Sequence, residues 1–252
     1  MSEKQIADLE TDGYFYFNSI LKDEIDLLIA DFLEISGKKL NKKISDLSQI
    51  HLYLSPDEVN NFRLDLIKSL NKNINFRNSL KEKCSPLFKN LLGPDLVIQK
   101  NFNLVLSLPN DSFSQIPLHS DVWTGHSPYE LNMWIPLTKV EGEMSMFILP
   151  LSKWRAEKNK INFTQTTISD LQKKFEKDWH YVNMKPGGVF VFWHHLPHGN
   201  HTHHTENTRW SLNIRTKNLF SPYGEKNFGE YFEPWTMSSL SKIVLEEGNF
   251  YP

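Results

Sequence analysis

The chemistry-bearing residues of this chain gather in three stretches. Pro117-Leu118-His119-Ser120-Asp121 sets an imidazole and a carboxylate two residues apart. In extended backbone alternate side chains leave on the same side, so both can aim at one point. Leu196-Pro197-His198-Gly199 lies in a patch of six histidines between His194 and His204. Arg209-Trp210-Ser211-Leu212-Asn213-Ile214-Arg215 alternates strictly: Trp210, Leu212 and Ile214 suit a core, and Arg209, Ser211, Asn213 and Arg215 form a polar face that needs a polar partner.

A bare His-x-Asp is common by chance and has an ordinary reading as a polar surface turn. Its setting here favours a metal site. Lys185-Pro186-Gly187-Gly188 feeds the apolar run Val189-Phe190-Val191-Phe192-Trp193, then come the histidines and the alternating strand. Two histidines and one carboxylate on one side of an ion, with the remaining positions open, form the donor set used by non-haem Fe(II) oxygenases.

At these residues the chain resembles the Fe(II)- and 2-oxoglutarate-dependent dioxygenases, most closely the phytanoyl-CoA hydroxylase-like group with its carbohydrate-cluster and streptomycin-biosynthesis relatives. The likeness runs from His119 to Arg215 through Met144-Ser145-Met146-Phe147-Ile148-Leu149-Pro150-Leu151-Ser152-Lys153 and His198-Gly199-Asn200, with a weaker echo at Asp12-Gly13-Tyr14-Phe15-Tyr16-Phe17. The resemblance implies Fe(II) held by His119, Asp121 and His198, and 2-oxoglutarate held through its far carboxylate by Arg209. It further implies O2 as co-substrate, release of succinate and CO2, and hydroxylation as the default outcome. Asp121 argues against halogenation, because halogenating relatives replace this carboxylate. Leu151-Ser152-Lys153 and Gly187-Gly188 depart from the family pattern outside the ligand set, which bears on substrate more than on iron.

His198 and Arg209 are equidistant from His203-His204, so a hairpin turning there would set them opposite each other, about 5 Å apart at Cβ. That register makes Arg209 the arginine near the metal, with Ser211 one pleat away and Asn132 facing the same site as further cosubstrate contacts. Arg215, six residues on and roughly 20 Å along an extended strand, then reads as a structural ion-pair partner. His194, His195, His201, His203 and His204 read as solvated or supporting residues. Gln99, Asn101, Asn103, Gln115 and Trp123 are substrate candidates, and Trp134 and Trp193 offer further flat apolar faces.

Composition narrows the remaining classes. A net charge of −2 spread over 252 residues provides no footprint for nucleic acid or an anionic membrane. Cys84 stands alone, so no internal disulfide forms; it reads as a small apolar filler. No apolar run approaches the roughly 20 residues of a membrane span, and the first residues lack a signal-peptide pattern, so a reducing, cytoplasmic setting is expected. The expected partner is a small-molecule substrate, a sugar or other small metabolite; no basic patch suits a CoA phosphate. Two rival classes stay open: a non-oxidative jelly-roll isomerase or sugar-binding module, and a histidine-rich metal-binding protein. Neither needs Arg209 and Ser211.

The elements that must position these residues change character along the chain. A short helix and the aromatic strand Tyr14 to Phe17 precede a helix over Leu21–Ile35 and the lysine-rich loop Gly37 to Lys43. Ser55-Pro56-Asp57-Glu58 predicts a helix start, with Ser55 as cap and the helix running to Leu70. A third helix is expected over Phe76–Leu92, kinked or split at Pro86. From residue 95 the period is that of strands: Leu96–Ser107, Glu130–Thr138, Ser145–Leu149, Val189–Trp193 and Arg209–Arg215. Trp154–Asp178 is a charged insertion, with helix over Ser169–Lys177, that could cover the site. The tail is expected to be irregular, with a short helix near Ser238–Glu247. Together these predict a mainly β fold with α, a double-stranded β-helix (jelly roll) with N-terminal helices packed on one sheet. The whole chain, 1–252, reads as one domain: a helical part to 94, a core over 95–220 and a tail over 221–252.

Overall fold

The structure, a computed structural model, describes residues 1–248. Its first part is helical. Helix α1 (Glu3–Asp12) and strand β1 (Tyr14–Phe17) lead into α2 (Lys22–Leu40), α3 (Val59–Lys72) and α4 (Ile74–Leu92). Strands follow as β2 (Leu96–Gln99), β3 (Asn103–Ser107), β4 (Glu130–Pro136) and β5 (Met146–Ile148). After helices α5 (Leu151–Glu157) and α6 (Ile168–Lys174) come β6 (His180–Tyr181), β7 (Val189–Trp193), β8 (His198–Asn200), β9 (Arg209–Asn218) and β10 (Phe232–Thr236), then α7 (Ser239–Glu247).

The strands form two antiparallel sheets. The larger runs β1-β7-β4-β9-β2-β10, with β3 also on β9, and the smaller runs β6-β5-β8. Alternation within each central strand decides which side chains meet the helices and which meet the small sheet. Met133 and Ile135 of β4, Val189 and Val191 of β7, and Trp210, Leu212 and Ile214 of β9 pack under Ile25, Leu28, Phe32, Phe62 and Leu66. Trp210 lies against Phe32 and Phe62, and its indole N–H donates to the Leu47 carbonyl at 2.8 Å. Each large apolar side chain so buried contributes roughly 1.5–3 kcal/mol, which holds the sheet rigid beneath the helices. The opposite faces of β4 and β7 send Trp134, Phe190 and Phe192 into a second cluster with Phe147 and Ile148 of β5. The expected jelly roll with helices on one sheet is the fold observed.

Several boundaries differ from expectation for local reasons. The strand foreseen over Leu96–Ser107 breaks at Lys100–Phe102, because the Asn71 side chain takes the backbone N–H and C=O of Phe102 at 2.7 and 3.0 Å in place of a strand partner. Ser55 and Glu58 do bond reciprocally, with the Ser55 N–H donating to the Glu58 carboxylate at 3.1 Å, but they close a turn and α3 starts only at Val59. Helix α2 runs on to Leu40, with Lys38 and Lys39 in its last turn, where the helix dipole favours cations. Helix α4 passes unbroken through Pro86, held on the core by Cys84 and Phe88. The tail contributes an edge strand, β10, whose Pro234 is tolerated because an edge need not donate every bond. The insertion does not cover the cavity described below: its buried Trp154, Leu171 and Phe175 belong to the cluster on the small sheet. Among the described residues no helix is long and apolar enough to cross a membrane.

Candidate metal centre and cosubstrate cavity

His119 and His198 meet through their backbones. Each donates its N–H to the other's carbonyl, at 2.9 and 2.8 Å, and the Asn200 N–H extends the pairing to the Ile116 carbonyl at 3.0 Å. Gly199 permits this approach, since a Cβ there would lie 2.8 Å from the Ile116 oxygen. The segment is extended only through Ser120; Asp121 opens a short 3-10 turn to Thr124, anchored by its N–H on the His194 carbonyl at 3.2 Å. His119 and Asp121 still converge, as their spacing foretold.

The ring orientations are set from behind. His119 Nδ1 faces the Pro117 carbonyl at 2.9 Å and His198 Nδ1 faces the Leu196 carbonyl at 2.8 Å. A ring nitrogen directed at a carbonyl carries the proton, which leaves each Nε2 with a free lone pair. Those Nε2 atoms lie 3.5 and 3.9 Å from Asp121 Oδ1. The three residues could hold a metal ion, for one ligand atom of each lies within 4.8 Å of the others. Burial and the neighbouring His119 push His198 down to about 3, so its imidazole is neutral and able to ligate. Burial opposes ionisation of Asp121, but the Arg215 guanidinium outweighs it and holds the carboxyl well below the usual carboxylate range.

A cavity of about 210 Å³ opens on this cluster, and Arg209, Ser211, Asn213 and Arg215 all line it, as the alternation of β9 predicts. Asn132 and Trp134 face it from β4. Arg209 is 2 % exposed; its Nη1 donates to the Met144 carbonyl at 3.3 Å, and its Nε has no partner. No carboxylate pairs with it among the described residues, and burial pulls it down to about 10. The Ser211 hydroxyl and the Asn132 carbonyl oxygen are likewise buried without partners. Three buried polar groups without partners thus share one cavity wall, where a polar ligand could satisfy them.

Two expectations about this wall need correction. His198 and Arg209 are not hairpin partners: β8 pairs with β5, through Ile148 opposite His198, while Arg209 pairs with Ser107 of β3. The intervening chain is pinned elsewhere, with the His203 carbonyl accepting from the Asn110 N–H at 2.8 Å and His203 Nε2 3.1 Å from the Ser107 carbonyl. His203 is therefore buried rather than solvated. Nor is Arg215 remote from the cluster. Its Nε and Nη2 both donate to Asp121 Oδ2, at 3.0 and 2.8 Å, because Asp121 approaches the cavity from the Arg215 end of β9. It is an ion-pair partner, and the partner is the candidate ligand itself.

The substrate candidates divide. Asn103 lines the cavity, and also an adjoining one of about 310 Å³ that shares Val105 and Ile116 with it. Gln99 is spent on the Arg215 backbone N–H at 3.2 Å and the Asn101 carbonyl at 2.6 Å, and Asn101 is exposed away from the cavity. Gln115 meets the Thr202 hydroxyl at 3.4 Å, and Trp123, 39 % exposed, sits near Phe163 of the insertion. Trp193 donates its indole N–H to the Pro128 carbonyl. Sequence reasoning missed His126 and Glu130, which with His194 form a second buried group whose ligand atoms lie within 4.8 Å of one another. Its only signal was the i, i+4 spacing of His126 and Glu130, common in any chain.

Comparisons with known proteins bear on the fold and the family. A search of curated proteins returns no match. Among solved structures, the iron-bound EctD from S. alaskensis is 15% identical with TM-score 0.58, covering 88% of this chain and 79% of that one. HygX from Streptomyces hygroscopicus, with nickel and 2-oxoglutarate bound, is 12% identical with TM-score 0.54 and 90% of each chain covered. The non-heme monooxygenase ThoJ, as a nickel complex, is 17% identical with TM-score 0.54, covering 92% of this chain and 83% of that one. At these identities the likeness is one of fold. The phytanoyl-CoA dioxygenase (PhyH) family pattern matches residues 9–211, most of the chain. The chain therefore belongs to the phytanoyl-CoA dioxygenase family and is an Fe(II)- and 2-oxoglutarate-dependent oxygenase.

Proposed function

We propose that His119, Asp121 and His198 hold Fe(II), that Arg209 and Ser211 hold the far carboxylate of 2-oxoglutarate, and that the enzyme hydroxylates a sugar or another small polar metabolite. The observation that carries the proposal is the pairing of opposites across one cavity. Three ligand atoms converge at one side, and an unpaired buried guanidinium with an unpaired hydroxyl waits at the other. The donor set fits iron: both imidazoles are fixed with Nε2 free, and the carboxylate is ionised. With Fe(II), 2-oxoglutarate and O2 bound, the chemistry supplied is decarboxylation to succinate and CO2 coupled to oxidation of substrate.

What the chain's own residues contribute is position and exclusion of water. Arg209 offers a planar fork matched to a carboxylate, and Ser211, two residues along the same face, adds a hydroxyl. Asn132, with its carbonyl oxygen free, borders the same ligand. Trp134 and Met146 keep the cavity wall dry between the polar groups. Substrate reaches the cluster through the adjoining cavity, where Asn103 lines both spaces and the Arg63 guanidinium, bonded to Asn60, Asn103 and the Leu104 carbonyl, forms a fixed polar edge. An amide-rich wall with one indole face suits a carbohydrate better than a fatty acyl chain. Panels of free sugars, glycosides, amino acids and acyl-CoA esters, scored by stimulated succinate formation with Fe(II) and 2-oxoglutarate, test the substrate class. Stimulation confined to acyl-CoA esters would refute it.

A further inference from the structure

The two oxygens of Asp121 have different surroundings. Oδ1 faces the Nε2 atoms of His119 and His198, at 3.5 and 3.9 Å. Oδ2 takes the Arg215 fork at 3.0 and 2.8 Å, and His194 Nδ1 lies 3.2 Å from it. Arg215 is itself fixed, its backbone N–H donating to Gln99 and its Nη1 to the Tyr231 hydroxyl at 3.4 Å. His194 is fixed by Nε2, 2.7 Å from the Ser127 carbonyl, and its Nδ1, set between Asp121 and Glu130, has no hydrogen-bond partner. Glu130 has no free oxygen: Oε1 accepts from the Ser127 N–H at 2.9 Å and Oε2 lies 2.8 Å from His126 Nδ1.

We infer that Arg215, seated by Gln99 and Tyr231, is a buried buttress that keeps Asp121 Oδ2 engaged, so that Oδ1 is the oxygen left to face the metal. The inference rests on the reading of His119, Asp121 and His198 as ligands. His126, Glu130 and His194 have the residue types of a second metal site, but a cation there would lie beside the guanidinium already seated on Asp121, with both Glu130 oxygens already taken. The group is no second metal site, and Arg215 is a positioning residue. A guanidinium that merely fills in for an absent metal makes the opposite prediction: it repels an arriving dication, and its removal tightens binding.

Calorimetry with Ni(II) on the metal-free protein separates the two. The buttress predicts one equivalent bound by wild type, affinity about 10–100-fold weaker in Arg215→Met, and partial recovery in Arg215→Lys, which keeps the charge and loses the fork. Glu130→Gln should still bind one equivalent. Equal or tighter binding in Arg215→Met overturns the inference, as does a wild-type stoichiometry of two that falls to one in Glu130→Gln. Near-ultraviolet circular dichroism checks each variant's fold; if Arg215→Met does not fold, Arg215→Lys carries the test, and unchanged affinity there overturns the inference. No binding by wild type, or undiminished binding by His119→Ala, refutes the ligand assignment itself, so the two failures are told apart.

Discussion

Replacing Arg209 by Met should have opposite effects on the protein with and without cosubstrate. Without a ligand, Arg209 is a buried cation with one bond to the Met144 carbonyl, an Nε with no partner and no carboxylate in reach. An apolar side chain of similar length removes an uncompensated buried charge, so the metal-free variant should unfold at the same temperature as wild type or higher. With Ni(II) and 2-oxoglutarate the sign reverses. Loss of one partner from a buried, hydrogen-bonded charge pair costs about 3–5 kcal/mol, or roughly 10²–10³-fold in affinity. At a 2-oxoglutarate concentration of about 100 times the wild-type Kd, wild type should gain about 2.7 kcal/mol from the ligand; a 100-fold weaker variant should gain only about 0.4 kcal/mol. Ser211→Ala, losing one neutral hydroxyl contact, should cost about 1 kcal/mol, or about five-fold. Thermal unfolding of the Ni(II) forms across a 2-oxoglutarate series reads all three. A variant that is destabilised without ligand yet keeps the full ligand-induced gain would refute the reasoning and make Arg209 a structural residue.

Other outcomes follow from the same geometry. Leu66→Ala, on the helical side of the large sheet and 0% exposed, should lose about 2–5 kcal/mol in denaturant unfolding while Ni(II) affinity is unchanged; an affinity loss without a stability loss would contradict the layering. Burial pushes the Cys84 thiol up to about 12, so a thiol reagent at pH 8 should label it only after unfolding, and prompt labelling of the native protein would contradict its placement. Burial pulls Lys217 down to about 8, well under its unfolded value. Between those two values the unfolded chain holds a proton that the folded chain has shed, so stability rises with pH. The stability of wild type relative to Lys217→Met should therefore improve from pH 8 to 10; a flat difference would contradict the burial.

What was legible in the sequence was what depends on spacing within one element. The alternation of Arg209 to Arg215 placed four polar side chains in one cavity, and the two-residue step from His119 to Asp121 brought them together. The resemblance supplied the distant partner, His198. What failed was pairing between elements. The symmetry of His198 and Arg209 about His203-His204 suggested a hairpin, but the chain between them spends its hydrogen bonds on β3 and the loop after it, which no local pattern records. Arg215 was read as an ion-pair partner without its carboxylate being identified, because Asp121 is 94 residues away in sequence. Gln99 and Gln115 read as substrate amides, since their true partners, a backbone N–H of β9 and the Thr202 hydroxyl, lie 116 and 87 residues away in sequence.

The central claim is that one cavity holds both the metal and its cosubstrate, and an anaerobic titration of the Fe(II) protein with 2-oxoglutarate tests it most directly. Wild type should develop a weak visible charge-transfer band that saturates at one equivalent of cosubstrate per iron. His119→Ala should develop none, and Arg209→Met should need roughly 10²–10³-fold more 2-oxoglutarate. A wild type that binds iron yet shows no band at saturating 2-oxoglutarate, or a band that forms equally well in Arg209→Met, would contradict the account.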